Sequence, residues 1–191
     1  MYHIKDDQRS IRSAEMIYAG LAKLMGEKPF DSISVTELVE AAQVGRATFY
    51  RNFDHIEDIL RLRCDQVFDG LVTYLIEYRL TFDIESRPPL LKPLLRYFEH
   101  RSEIIELLMH ANRLDMVTAA FHRVFAPFRA RSAAWLDIDE EYLDYSLTIR
   151  IGVVTTILVH WIETGKKQPP DELADKLGDM IGKMMRRNQL L

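Results

Sequence analysis

The chain has 191 residues, 48% of them hydrophobic and 28% charged, with a formal net charge of −4 and an isoelectric point near 5.9. That length suits one large domain or two small ones around a sizeable core, and 8 Gly with 7 Pro are too few for an all-β fold built on tight turns. A single cysteine, Cys64, excludes an internal disulfide framework and points to a reducing compartment, and the acidic balance gives no bulk support to polyanion binding.

The N-terminal stretch MYHIKDDQRS has no apolar core of signal-peptide length. The longest apolar run, IGVVTTILVHWI, is short for a membrane span and has Arg150 and His160 at its edges. A cytoplasmic protein that does not contact a membrane is expected.

Helical periodicity dominates. Residues 10–25 place Ile11, Ala14, Ile17, Leu21 and Leu24 on one stripe, with Gly26 to close the helix and Pro29 beyond it. In ISVTEL, Ser34 and Glu37 have capping-box spacing, and Ile33 with Leu38 fits a hydrophobic staple. This is the clearest helix start in the chain. Gln43-Val44-Gly45 interrupts that helix, and a second short helix follows to about Asn52. A third begins near Asp54 or His55 and runs to about Leu80, with Ile59, Leu62, Val67, Leu71, Leu75 and Tyr78 as its apolar line.

Beyond residue 80, Pro88-Pro89 suits the first turn of a helix reaching Glu99. Ser102 opens another to about His110. Leu114, Val117, Phe121, Val124 and Phe128 form a further stripe, which Pro127 should end. Asp139 can cap a helix from about Glu140 to Glu163 that Gly165 closes. Pro169-Pro170 leads into a last helix with Leu173, Leu177, Ile181 and Met184 on one face. The pattern predicts an all-α protein without repeats, in which three helices within about fifty residues join a larger helical body through a long fourth helix.

The stretch AAQVGRATFYRNF, residues 41–53, is free of acid, although residues 1–60 carry seven Lys and Arg against ten Asp and Glu. Phe49 and Phe53 are four apart and share a face that can pack on helix 10–25 with Leu38, Ala41 and Val44. Arg46, Thr48, Tyr50, Arg51 and Asn52 are left around the remaining surface, and small Ala47 permits a close approach. A helix-turn-helix sends its second helix into the major groove N-terminus first. Arg suits guanine or phosphate, Asn suits adenine, and the Thr methyl can meet that of thymine. Tyr hydroxyls and helix N-termini can bond phosphate. Singly, each residue reads as a solvated helix face. Their spacing together favours DNA.

SVTELVEAAQVGRATFYRNF resembles the N-terminal DNA-binding domain of the TetR family of bacterial transcriptional regulators. The family pattern is a helix starting at Ser or Thr, Ala-Ala near its end and a Gly-Val-Ser turn. A basic residue, a small residue, Thr, a large apolar residue, Tyr, two polar residues and Phe follow. Residues 10–60 follow it closely. The rest agrees in architecture and size, and HWIETGKKQPPDELADKL resembles the family's last helix pair. Two departures stand out. Gln43 and Gly45 replace the usual turn Gly and capping Ser. His55-Ile56 replaces a Ser-Lys pair whose Lys touches phosphate, which leaves His55 or the helix N-terminus itself to serve there.

The resemblance implies a helix-turn-helix domain over 1–54 and a helical ligand-binding and dimerisation domain over 55–191. It implies a homodimer on a palindromic double-stranded DNA operator, most simply a repressor released by a small-molecule effector. A regulator governed by a partner protein, or an activator without an effector, is the alternative. The DNA-facing set is Ser34, Thr36, Arg46, Ala47, Thr48, Tyr50, Arg51, Asn52 and His55. Tyr97, His100, His110, Arg113, His122 and Trp135 are candidates for the effector cavity.

The apolar helix carries two stripes, Leu147, Ile151, Val154 and Leu158 on one and Tyr145, Ile149, Val153, Ile157 and Trp161 on the other, so it needs more than one packing partner. The expected dimer interface takes Ile151, Val154, Leu158 and Trp161 from it, and Leu177, Ile181 and Met184 from the last helix. Glu103, Glu106 and His110 share a helix face but lack a second ligand cluster, so a solvated face is the simpler reading. With no Gly-rich phosphate loop, nucleophile elbow or paired-histidine motif, neither enzyme activity nor a cofactor nor a metal is expected.

Overall fold

The computed structural model describes residues 1–4, 7–79, 90–128 and 139–186. Nine α-helices lie among them: α1 (Gln8–Met25), α2 (Val35–Ala41), α3 (Arg46–Asn52), α4 (Glu57–Arg79), α5 (Leu91–Glu99), α6 (Glu103–His110), α7 (Asp115–Phe125), α8 (Leu143–Glu163) and α9 (Pro170–Arg186). The only β-pairing among the described residues is an isolated antiparallel bridge between Tyr2 and Phe53. The chain is all-α, as its periodicity predicts. Pro88-Pro89 and Trp135 lie outside the described residues.

The chain packs as two compact units. Met1–Phe68 with Glu103–Ala120 make the first, and Asp69–Ser102 with Phe121–Leu191 the second. The division between these units falls inside α4. Residues 103–120, far away in sequence, join the N-terminal helices.

In the first unit Asp7 caps α1 by accepting from the Ser10 amide at 2.8 Å. The buried face of α1 is Ser10, Ala14, Ile17, Gly20, Leu21 and Met25. Ile11, assigned to that stripe from the sequence, is 46% exposed. The face is set by Gly20, where an added Cβ would stand 2.9 Å from the Ala42 backbone nitrogen. The α1 backbone thus meets the end of α2 with no room between them.

Helix α2 opens with the expected capping box. Ser34 Oγ accepts from the Glu37 amide, and the Glu37 carboxylate accepts from the Ser34 amide at 3.0 Å. Ile33 and Leu38 beside it are both buried. The following turn is carried by Gln43, whose φ of 53° lies in the left-handed region, and the Val44 amide closes it on the Val39 carbonyl at 3.0 Å. Gly45 is extended and caps α3 without a side-chain bond.

Helix α4 buries Ile59, Leu60, Cys64, Phe68, Leu71 and Leu75, and only half-buries Leu62 and Val67. Cys64 is 1% exposed, a core thiol. Helix α7 ends before Pro127, in a single 3-10 turn, Ala126–Phe128.

In the second unit α5 and α9 are tied by an ion ladder. The Arg96 guanidinium meets both Asp171 oxygens, at 2.6 and 2.5 Å, and Lys92 reaches Asp175 at 2.7 Å. Gly165, with φ 77°, closes α8. Trp161 Nε1 then donates to the Gln168 carbonyl at 2.9 Å, and Lys166 Nζ donates to the Glu99 carbonyl at 3.0 Å and to Ser102 Oγ at 2.8 Å. The α8–α9 turn is pinned from both sides.

Candidate nucleic-acid interface

Helix α3 has seven residues, too few to be stable alone. Its position is fixed by what it buries. Phe49 and Phe53 are fully buried with ring centroids 6.0 Å apart, as their spacing predicts. Tyr50, one residue on from Phe49, packs edge-on against it at 5.1 Å and is itself 57% exposed.

Arg46, Ala47, Tyr50 and Arg51 of α3 are exposed, and Thr48 is half-buried. Ser34 and Thr36 of α2 are exposed too, and Arg46 Nη2 donates to Thr36 Oγ1, which joins the N-terminal ends of the two helices. Arg51 Nη2 lies 3.4 Å from Thr48 Oγ1. The result is a surface of two guanidiniums, hydroxyls and an aromatic edge on a short helix with an apolar back. Such groups can bond phosphate oxygens and base edges.

Asn52 does not belong to that surface. It is 0% exposed, its Oδ1 accepts from Ser10 Oγ at 2.8 Å, and its Nδ2 donates to the Thr48 carbonyl at 2.8 Å. The side chain is turned under α3 and does not reach outward.

Two nearby acids, Glu37 and Asp54, are paired with cations. Lys28 Nζ meets Glu37 at 2.5 Å, and Lys28 and Ser34 hold the Glu37 carboxyl down at about 2. Asp54 stands between the N-terminal ammonium, at 2.9 Å, and His3 Nε2, at 3.0 Å, and both hold its carboxyl below the ordinary value. His55 is exposed, and its amide donates to Asp58 at the start of α4.

Sequence and fold comparisons bear on the family and the fold of the chain. Residues 17–62 match the model described as bacterial regulatory proteins, tetR family, and residues 85–183 match one described as a transcriptional regulator C-terminal region. The chain belongs to the TetR family of transcriptional regulators. Lin0861 from Listeria innocua shares its fold at a TM-score of 0.72 with 16% identity, over 95% of this chain and 96% of that one. The fatty acid degradation regulator FadR from Bacillus halodurans is similar at 0.54 with 15% identity, over 92% and 95%. No curated protein matches the chain. As a TetR-family member, the chain carries a DNA-binding domain, and the first match falls on residues 17–62.

The cavity candidates of this TetR-like chain do not converge. His100, His110 and His122 are all exposed. Arg113, in the α6–α7 turn, is occupied within the first unit. Its guanidinium lies 3.4 Å from Asp31 and 3.6 Å from Glu57, and 5.7 Å over the Phe30 ring. Among the described candidates Tyr97 alone is buried, with Arg101 4.6 Å over its ring and its hydroxyl in the space that a Cβ at Gly70 would fill, 2.6 Å away. Burial raises the Tyr97 pKa. Glu103 accepts from the Tyr18 hydroxyl at 2.9 Å, and no group of three His, Cys, Asp or Glu able to hold a metal occurs among the described residues.

On α8 three of the four residues expected at the dimer interface are turned inward. Ile151, Leu158 and Trp161 are buried inside the chain, at 1%, 0% and 2% exposure. Tyr145, Ile149 and Val153 face outward at 69%, 60% and 39%. Val154 and, on α9, Leu177, Ile181 and Met184 are half-buried, and Met180 is exposed. The 21-residue helix is long and apolar enough to cross a membrane by length and composition alone, although the 12-residue run read from the sequence is not.

Proposed function

We propose that the chain is a cytoplasmic, effector-responsive homodimer that binds a palindromic operator through α3 and represses transcription. The carrying observation is the exposed set Arg46, Tyr50 and Arg51, backed by the buried Phe49 and Phe53. Ser34, Thr36 and Arg46 bond phosphate at the N-terminal ends of α2 and α3, while Thr48, Tyr50 and Arg51 reach groove edges and backbone. His55 serves at the start of α4 in place of a lysine.

Dimerisation uses the outward stripe of α8. Tyr145, Ile149 and Val153 recur every four residues, Gly152 and Gly178 leave open space for a close approach, and Met180 adds an apolar group from α9. Half-buried Val154, Leu177, Ile181 and Met184 join the proposed interface. Two-fold symmetry would set two α3 helices about 34–36 Å apart, in successive major grooves. An effector bound preferentially to a second conformation would spoil that spacing and release the operator.

Selection of duplexes from random DNA, with and without candidate metabolites, tests the reading. A palindrome is expected, and recovery of none would sink it. Sedimentation of the free chain tests the dimer.

A further inference from the structure

The hinge between α3 and α4 is held by a clasp from the start of the chain. Tyr2 pairs with Phe53 as an antiparallel bridge. On either side of it the His3 amide donates to the Asn52 carbonyl at 2.8 Å, and the Asp54 amide donates to the Met1 carbonyl at 3.0 Å. The Tyr2 hydroxyl reaches Asp65 on α4 at 2.7 Å. From the other side Ser10 of α1 bonds the Asn52 side chain, at a buried contact of 2.8 Å. Two separate segments, residues 1–4 and α1, therefore meet on Asn52, the last residue of α3.

We propose that residues 1–4 are a positioning clasp for DNA binding, with Asn52 as its hub. The idea rests on the reading of α3 as the recognition helix. A helix of seven residues leaves most of its carbonyls without helical partners. In α3 the Thr48 carbonyl is taken by the Asn52 side chain and the Asn52 carbonyl by His3. The aromatic anchors Phe49 and Phe53 fix the depth of α3, whereas the bonds to Asn52 fix the direction in which its C-terminal end leaves. Freed from the clasp, the helix keeps its buried rings but samples several angles, and only one of them fits a groove. Asn52 and His3 thus act on DNA through geometry, not by touching it.

The clasp bond from His3 is made by the backbone, so its ring can be removed without breaking it. His3→Pro deletes the donor, and His3→Ala keeps it. Ser10→Ala removes the bond to the Asn52 side chain instead. Each variant is titrated with the duplex selected by the wild-type chain, at several salt concentrations, and melted alone. With one bond lost in each protomer, His3→Pro should bind roughly tenfold more weakly, and Ser10→Ala should fall by a similar factor. His3→Ala, which loses the ring's contact with Asp54 but keeps the backbone bond, should fall much less than His3→Pro.

The salt dependence should be the same for all, because a positioning role removes no phosphate contact. Hydrogen exchange at the Asp54 amide should speed up in His3→Pro without DNA. Equal affinity of His3→Pro and wild type overturns the clasp. So does a loss in His3→Ala with a shallower salt slope, which would mean that the ring touches phosphate. A fall in affinity matched by global unfolding in the melts, in both His3→Pro and Ser10→Ala, also overturns it. A wild-type chain that binds no duplex would instead overturn the DNA reading beneath it.

Discussion

Helices α3 and α8 invert each other. On α3 Phe49 is buried, with Phe53 just beyond it, and the exposed positions are Arg46, Ala47, Tyr50 and Arg51. On α8 the buried positions Ile151, Leu158 and Trp161 are matched by an equally apolar exposed row, Tyr145, Ile149 and Val153. A polar, cationic outer face suits a hydrated polyanion, whose approach must not strip water from apolar groups in vain. An apolar outer face is stable only when something apolar covers it. The contrast separates two kinds of partner by chemistry alone.

The sharpest way to break that contrast is to exchange the roles of neighbours. Phe49→Ala should cost about 3–5 kcal/mol by emptying the space behind α3, read as a fall in melting temperature and loss of DNA binding together. Ile149→Asp should leave the monomer's melting largely intact. It should still place two carboxylates across the symmetric face, weakening the dimer by about 3 kcal/mol or more in sedimentation. If the dimer persisted, the outward stripe of α8 would not be its interface. Tyr50→Ala, beside Phe49 but outward, should leave the melt within about 0.5 kcal/mol and weaken operator binding by about 1–3 kcal/mol.

Smaller effects probe the turn and the cap. Gln43→Gly relieves a left-handed backbone and should stabilise the first unit by about 1 kcal/mol in chemical denaturation. The Glu37 carboxyl is held at about 2 when folded, against an ordinary 4.5. Its contribution is therefore complete above pH 4.5 and is lost as the pH falls towards 2. Glu37→Gln should flatten that part of the stability profile, by a small amount for so exposed a group.

Much of α2 and α3 is legible because their signals are local. The capping box at Ser34 and Glu37 and the spacing of Phe49 and Phe53 are set within a few residues, and the structure keeps them. Asn52 reads as outward because a polar side chain at the end of a short helix gives no sign of its direction. What turns it inward is Ser10, forty-two positions away. On α8 both faces are apolar, so periodicity gives two stripes and no means of telling inside from outside. The three histidines His100, His110 and His122 were grouped by chemical type, and packing leaves each at the surface. The docking of residues 103–120 on the N-terminal helices is a purely tertiary fact. It depends on contacts such as Tyr18–Glu103 and Arg113–Asp31, which no local pattern announces.

Trp161 gives the molecule an optical reporter. It is one of two tryptophans in the chain, 2% exposed, with its indole N–H held by the Gln168 carbonyl. A ring so enclosed emits towards the blue, and release of the α8–α9 turn would shift that emission to the red. Fluorescence on dilution can therefore show whether subunit separation leaves this turn closed or opens it, without any label being attached.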